Sequence, residues 1–150
     1  MMILGFDPGR DKCGVAVMGF DGRIFEHQVV SSEMAIATLN SWCQQFSIQL
    51  LVMGNQTTAK SWRAQISAQF PSLPIMMVDE RNSSLEARDR YWQMYPPQGF
   101  TRLIPRGMRL PPRPVDDLVA ILLIERYLQQ TFTKPNTNKH GVGELENDAF

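Results

Sequence analysis

Cysteine and histidine are scarce in this chain of 150 residues, with two of each. Cys13, Cys43, His27 and His140 stand far apart, so there is neither a CxxC pair nor a Cys/His spacing suited to zinc. Both thiols are expected to be reduced core residues, and neither histidine carries a decipherable signal. Long apolar runs are also missing. None approaches the ~18 residues that a membrane span requires. The opening MMILGFDPG enters an apolar strand at once, without a basic leader or cleavable stretch, so the expected location is the cytoplasm with no membrane attachment. Net charge is absent as well: Lys+Arg and Asp+Glu balance at 15 each and the pI is about 6.7. The overall basicity common in nucleic-acid binders is therefore lacking, and any field that attracts phosphate must be local. No internal repeat is visible. With 43% hydrophobic and 20% charged residues, the chain suffices for one good core and is too short for two ordinary domains.

What is present alternates between strand and helix signals. ILGF and GVAVM are short apolar runs separated by PGRDK, and they read as paired strands. Asp21-Gly22, between VMGF and RIFEHQVV, predicts a tight hairpin with positive φ at both central residues. Ser32 predicts the cap of a helix running to about Phe46, with Met34, Ile36, Ala37, Leu39, Trp42 and Cys43 on its apolar face. LLVMG at 50–54 reads as a buried strand. A second helix is predicted from about Thr58 to before Pro71, because proline disfavours helical geometry in the preceding residue. A strand follows over 74–79. Ser83 and Glu86 form an S-x-x-E capping box that predicts a third helix over 84–94. Six of the ten prolines then fall within 96–114, a long irregular loop of the kind usually reserved for function. A last helix is predicted over 115–130, with Leu118, Val119, Ile121, Leu122, Leu123 and Tyr127 largely buried. The order βββαβαβαα, with strands one, four and five parallel and strands two and three antiparallel to them, fits an α/β fold with helices on both faces of a mixed sheet. The domain is predicted to span 1–132. The polar remainder, 133–150, reads as a flexible tail.

Three carboxylates carry the functional argument. Asp7 ends the first apolar run, Glu80 ends a late one, and Asp116 opens the last helix. In an open α/β sheet the carboxyl ends of parallel strands line one crevice, so acids placed there converge even when distant in sequence. Convergent carboxylates suit Mg²⁺ or Mn²⁺, and two such ions about 4 Å apart can activate water and neutralise a leaving oxygen in phosphodiester cleavage. Asp79 and Asp117 are secondary ligand candidates. Arg102, Arg106, Arg109 and Arg113 belong to a stretch from Arg90 to Arg113 that contains no acid, a local patch suited to phosphate backbone. Arg10, Lys12 and Arg81 lie beside the first two acids and complete the candidate nucleic-acid contacts.

These residues carry a resemblance. ILGFDPGRDKCGVAVMG resembles the opening D-x-G-x-x-x-x-G-x-A-V motif of the YqgF family, in the RuvC-like branch of the RNase H-like superfamily. LLVMG resembles its fourth strand, VDERNSSLEARDRY its D-E-R-x-S/T-x-x-E-A motif, and PVDDLVAILLIERYL its closing helix. The resemblance covers about 1–130. It implies an RNase H-like five-stranded mixed sheet in the order 3-2-1-4-5. It also implies a magnesium-dependent nuclease with Asp7, Glu80 and Asp116 as catalytic acids, associated with precursor 16S rRNA ends and, alternatively, with Holliday junctions. Structured RNA or branched DNA, and ribosome precursors, would then be partners. Two departures stand out. Related resolvases place a carboxylate at the end of strand four, where this chain has Gly54, Asn55 and Gln56, so the site depends on Glu80 reaching across about 9.6 Å, two strand spacings. GNQTT and the Pro/Arg-rich segment also replace the family's usual glycine-proline and lysine-containing runs.

Each acid has a structural reading beside the catalytic one. Asp7 before Pro8-Gly9 suits an Asx-type turn. Glu80-Arg81 suits a surface ion pair worth under ~1 kcal/mol, and Asp116 with Asp117 suits the positive end of a helix dipole. Arg81 serves either phosphate or the order of its own loop. Two other function classes compete. The opening motif also resembles the phosphate loop of actin-like ATPases, whose second lobe 150 residues cannot house. A non-catalytic nucleic-acid-binding module would keep the fold with a weakened site.

Overall fold

Three strands joined by short turns open the chain: β1 (Met2–Asp7), β2 (Lys12–Gly19) and β3 (Ile24–Ser31). They belong to a computed structural model that describes residues 1–56 and 58–133. The predicted tail from residue 134 onward, with His140, lies outside the described residues, while its first residue, Thr133, ends the last helix. β4 (Ile48–Gly54) and β5 (Ile75–Val78) follow, separated by helices α1 (Ala35–Gln45) and α2 (Ala59–Gln69). α3 (Ser83–Met94) and α4 (Asp116–Thr133) complete the fold, joined by a loop containing two short 3₁₀ turns, Gly99–Leu103 and Arg106–Met108.

The sheet order is β3-β2-β1-β4-β5, as the resemblance implied. β1 is parallel to β4, and β4 to β5, while β2 is antiparallel to both β1 and β3. β3 therefore points the same way as β1, not against it as expected, because two antiparallel pairings reverse direction twice. Alternation along the strands sorts the core into two layers. Leu4, Phe6, Val15, Val17, Leu51 and Met53 pack with Leu39 and Trp42 of α1 and Ile66 of α2. Ile3, Ala16, Met18, Val52 and Val78 pack with Ala87 and Tyr91 of α3 and the apolar face of α4. Trp62 meets Phe6 edge-on, with ring centroids 5.3 Å apart. Both cysteines are free, Cys13 buried and Cys43 half-buried.

Four local expectations fail in the structure. The hairpin has positive φ at Gly22 alone, since the Gly19 N–H donates to the Arg23 carbonyl at 2.8 Å and closes a longer loop. Ser32 does not cap α1: its hydroxyl donates to the Gly9 carbonyl at 3.0 Å, and a 3₁₀ turn precedes the helix. The buried stripe of α1 is Ala35, Leu39 and Trp42, leaving Met34 more than half exposed. The capping box at Ser83 is not formed either. Asn82, with φ 61°, caps α3 in the left-handed region, and Ser83 lies inside the helix.

Two glycines set how closely α4 approaches the sheet. A Cβ on Gly5 would sit 2.6 Å from the Ala120 carbonyl oxygen, and one on Gly14 would overlap the Asp116 carbonyl. Gly14 is the cross-strand partner of Asp7. The absent side chain thus lets the first turn of α4 settle beside the end of β1. Gly14→Ala is expected to destabilise the fold by about 1–3 kcal/mol, as overpacking does. Urea unfolding checks it, and a variant as stable as the parent would contradict the close contact.

Candidate active site

Asp7 ends β1 on the face turned toward α4, the face it shares with Ile3 and Gly5, and is only 7% exposed. Glu80 follows β5 by two residues and is 9% exposed. Its carboxylate does not pair with Arg81 but accepts the Gln56 backbone N–H through Oε1 at 2.8 Å. The carboxyl lies over Gly54, where any Cβ would overlap it. Glycine at the end of β4 therefore clears the path by which the β5 acid reaches inward. Glu80 Oε2 is buried without a hydrogen-bond partner among the described residues. Asp116, the first residue of α4, is half-buried.

Electrostatics link the three. Burial first, then Glu80 and Asp116, push the Asp7 carboxyl up to about 8. Glu80 is also raised, chiefly by burial, against the lowering effect of its bonds to Gln56. Asp116 is raised mainly by burial, with Asp117 adding and Lys12 opposing. Asp7 thus feels both other acids across the crevice. As the side chains stand, however, no group of three acidic, histidine or cysteine side chains among the described residues is gathered closely enough to hold a metal ion. Carboxyls without a counter-charge repel, which is the state expected of such a group before a cation draws it together.

The secondary ligands have other occupations. Asp79 is exposed, and its Oδ1 accepts the Arg81 N–H at 3.0 Å in an Asx-type turn. Asp117, 2% exposed, faces away: it accepts Arg113 at 3.0 and 3.3 Å and shares a 2.7 Å hydrogen bond with His27 Nδ1. Burial would raise its carboxyl, but His27 and Arg113 together hold it below the usual range.

The arginine patch divides in the same way. Arg113 is tied to Asp117 and lies over the rings of Tyr91 and Tyr95, 5.4 and 5.8 Å from their centroids. Arg90 forms a two-pronged pair with Glu125. Arg109 donates to the Ile104 and Arg102 carbonyls and folds the loop upon itself. Arg102 and Arg106, with Arg10, Lys12 and Arg81 around the acids, keep exposed side chains.

Sequence reasoning missed four contributors. His27 and Gln56 act through contacts of long sequence separation, and Gly54 through an absence. Arg126, deep in α4, donates to the Asp79 carbonyl and the Arg81 carbonyl, each at 2.8 Å, and pairs with Glu86 at 3.0 Å. It clamps the carbonyls of the two residues on either side of Glu80. The only signal available was the placement of a cation within the apolar-patterned last helix.

Comparison with known proteins agrees with this architecture. The chain resembles Thermus thermophilus RuvC, with TM-score 0.57 and 17% identity over 87% of this chain and 96% of that one. RuvC in complex with Holliday junction substrate gives TM-score 0.55 at 18% identity, over 90% and 99%. The sheet and its helices thus define an RNase H-like fold, the class to which RuvC-type nucleases belong. Residues 1–130 match the RuvX family, described as Holliday junction resolvase, and the chain belongs to that family. A Legionella pneumophila protein named "Putative pre-16S rRNA nuclease" is 30% identical over 145 residues, covering 85% of this chain and 95% of that protein. A Coxiella burnetii protein of the same name is 28% identical over 153 residues, covering 87% and 94%.

The Asp7 shift carries a pH dependence. The unfolded carboxyl loses its proton near the ordinary 3.8 and the folded one near 8, so unfolding releases a proton between those values. Metal-free stability must then fall as pH rises from about 4 to about 8. Asp7→Asn removes that loss. The variant is expected to exceed the parent by up to a few kcal/mol at pH 8 and to match it near pH 4. Denaturant unfolding at both pH values checks this, and a variant less stable than the parent at pH 8 would contradict it.

Proposed function

We propose that this protein is a Mg²⁺- or Mn²⁺-dependent endonuclease whose catalytic acids are Asp7, Glu80 and Asp116. The observation that carries the reading is Asp7, buried and raised to about 8 beside two further acids that also resist ionisation. The donor set fits a hard divalent cation. It is all carboxylate oxygen, and among the described residues the buried Glu80 Oε2 has no partner that a cation would have to displace. Asp7, Glu80 and Asp116 would hold the cation through their carboxylate oxygens. When bound, two such ions supply Lewis-acid activation of water and neutralisation of the leaving oxygen.

The chain's own residues position and exclude. Gln56 and Arg126 fix the Glu80 loop, α4 presents Asp116, and the buried end of β1 keeps Asp7 out of bulk solvent. Because cation binding must displace the Asp7 proton, affinity should rise with pH up to about 8. Lys12, whose charge lowers Asp116, and Arg10 stand on the β2 side of the acids, ready for substrate phosphates. Arg81, Arg102 and Arg106 extend that surface.

The substrate we favour is precursor 16S rRNA near its ends, on the strength of relatives that carry that name across nearly their whole length. Ribosome precursors in the cytoplasm would then be the partner. No helix among the described residues is long and apolar enough to cross a membrane. A branched-DNA substrate is the second reading, favoured by the description of the matched family. Purified protein is expected to cleave one of these, precursor rRNA or a four-way junction, only with Mg²⁺ or Mn²⁺. Asp7→Asn, Glu80→Gln and Asp116→Asn should each lower the rate by at least about a hundredfold while the circular dichroism spectrum stays that of the parent. Full cleavage by Asp7→Asn would remove it from the chemistry, and equal cleavage in EDTA would end the metal requirement.

A further inference from the structure

From residue 34 to residue 78 the chain contains no aspartate or glutamate and only two cations, Lys60 and Arg63. Both line one cavity of about 510 Å³, together with Asn55, Gln56, Ala59 and Met77. Lys60 and Arg63 stand three apart on α2, so they share a face of the helix. Both are exposed, and neither is engaged by an acid in any ion pair or hydrogen bond among the described residues. The contrast with Arg90, Arg113 and Arg126 is direct, since each of those is spent on a carboxylate.

The cavity adjoins the candidate active site through Gln56. That residue lines the cavity and donates its backbone N–H to Glu80 Oε1 at 2.8 Å. Asn55 beside it is anchored by its N–H on the Val78 carbonyl at 3.2 Å. Arg10 and Lys12 lie on the β2 side of Asp7, whereas α2 follows β4 on the opposite side. Cations therefore lie to both sides of the acids along the strand order, with those of α2 on the sheet face opposite α4 and reaching the acids around the β4 and β5 ends.

We infer that the cavity between α2 and the β4 and β5 ends is a second phosphate-binding site, in which Lys60 and Arg63 hold the nucleic-acid backbone flanking the bond at the acids. This rests on the nuclease reading above and adds the path of the strand. The Asn55 side chain adds an amide to the lining, the Gln56 side chain is bonded to Glu80, and Ala59 and Met77 supply apolar surface. Phosphate contacts of this kind position a strand without reading its sequence. Asn55 and Gln56, which depart from the family pattern after strand four, are thereby given a task, because both line the cavity.

The test is fluorescence anisotropy with a labelled four-way DNA junction and a labelled transcript spanning a precursor 16S rRNA end, in EDTA, across a NaCl series. Lys60→Ala/Arg63→Ala is expected to weaken binding of the probe that the parent protein binds by about tenfold or more. The slope of log K against log salt should fall by about 2, one for each lost phosphate contact. Lys60→Arg/Arg63→Lys should restore most of both, a rescue that a folding defect would not show. If the parent binds and the double alanine variant keeps its affinity and slope, the second site is overturned and the nuclease reading stands. If the parent binds neither probe, the nuclease reading fails and takes this site with it.

Discussion

The approach of α4 to the sheet is the constraint on which the rest of the molecule depends. Gly5 and Gly14 remove the two side chains that would hold the helix away, and the carbonyls of Ala120 and Asp116 occupy that space. The apolar face from Leu118 to Ile124 is then almost fully buried against β1 and β2. The same contact fixes the first turn of α4 over the cross-strand partner of Asp7. Packing energy from a long apolar helix thereby supports an arrangement that electrostatics alone opposes. Three acids of raised proton affinity sit at the end of the sheet because the core leaves their backbones no alternative.

Around those acids the charged residues have separate duties. Arg113 pairs with Asp117 and His27 hydrogen-bonds to it, so the residue next to Asp116 belongs to the scaffold. Arg126 holds the carbonyls of Asp79 and Arg81, the residues on either side of Glu80, and Gln56 holds the Glu80 carboxylate. Gly54 yields the end of β4, which allows a longer side chain from the neighbouring strand to occupy the place a β4 acid would take. The candidate site would thus draw on β1, the β5 loop and α4, with β4 contributing space. The cations left exposed lie at the margins, where phosphate rather than carboxylate is the available partner.

Much of this was legible in the sequence. Alternating apolar runs marked five strands, helical spacing and prolines bounded four helices, and acids at the ends of apolar runs pointed to one crevice. The motif resemblance ordered the sheet. What failed was local polar chemistry. Ser32 and Ser83 look like caps, yet the first bonds Gly9 across the fold and the second lies inside a helix capped by a left-handed Asn82. The direction of β3 follows from pairing, which its own residues do not encode. The arginine-rich loop reads as one basic patch, but Arg90 and Arg113 answer to Glu125 and Asp117, and Arg109 to carbonyls of its own loop. A charge and its partner far along the chain, as in His27 and Asp117, leave no periodic trace.

The account therefore turns on whether Asp7 shares its electrostatic environment with Glu80 and Asp116. The most direct measurement is the titration of side-chain carboxyl carbons by ¹³C NMR, with the Asp7 signal assigned through Asp7→Asn. We expect a midpoint near 8 in metal-free protein. It should fall in Glu80→Gln and in Asp116→Asn, and fall further when Mg²⁺ is added to the parent. A midpoint near the ordinary 3.8, unmoved by either substitution or by Mg²⁺, would contradict the convergence of the three acids.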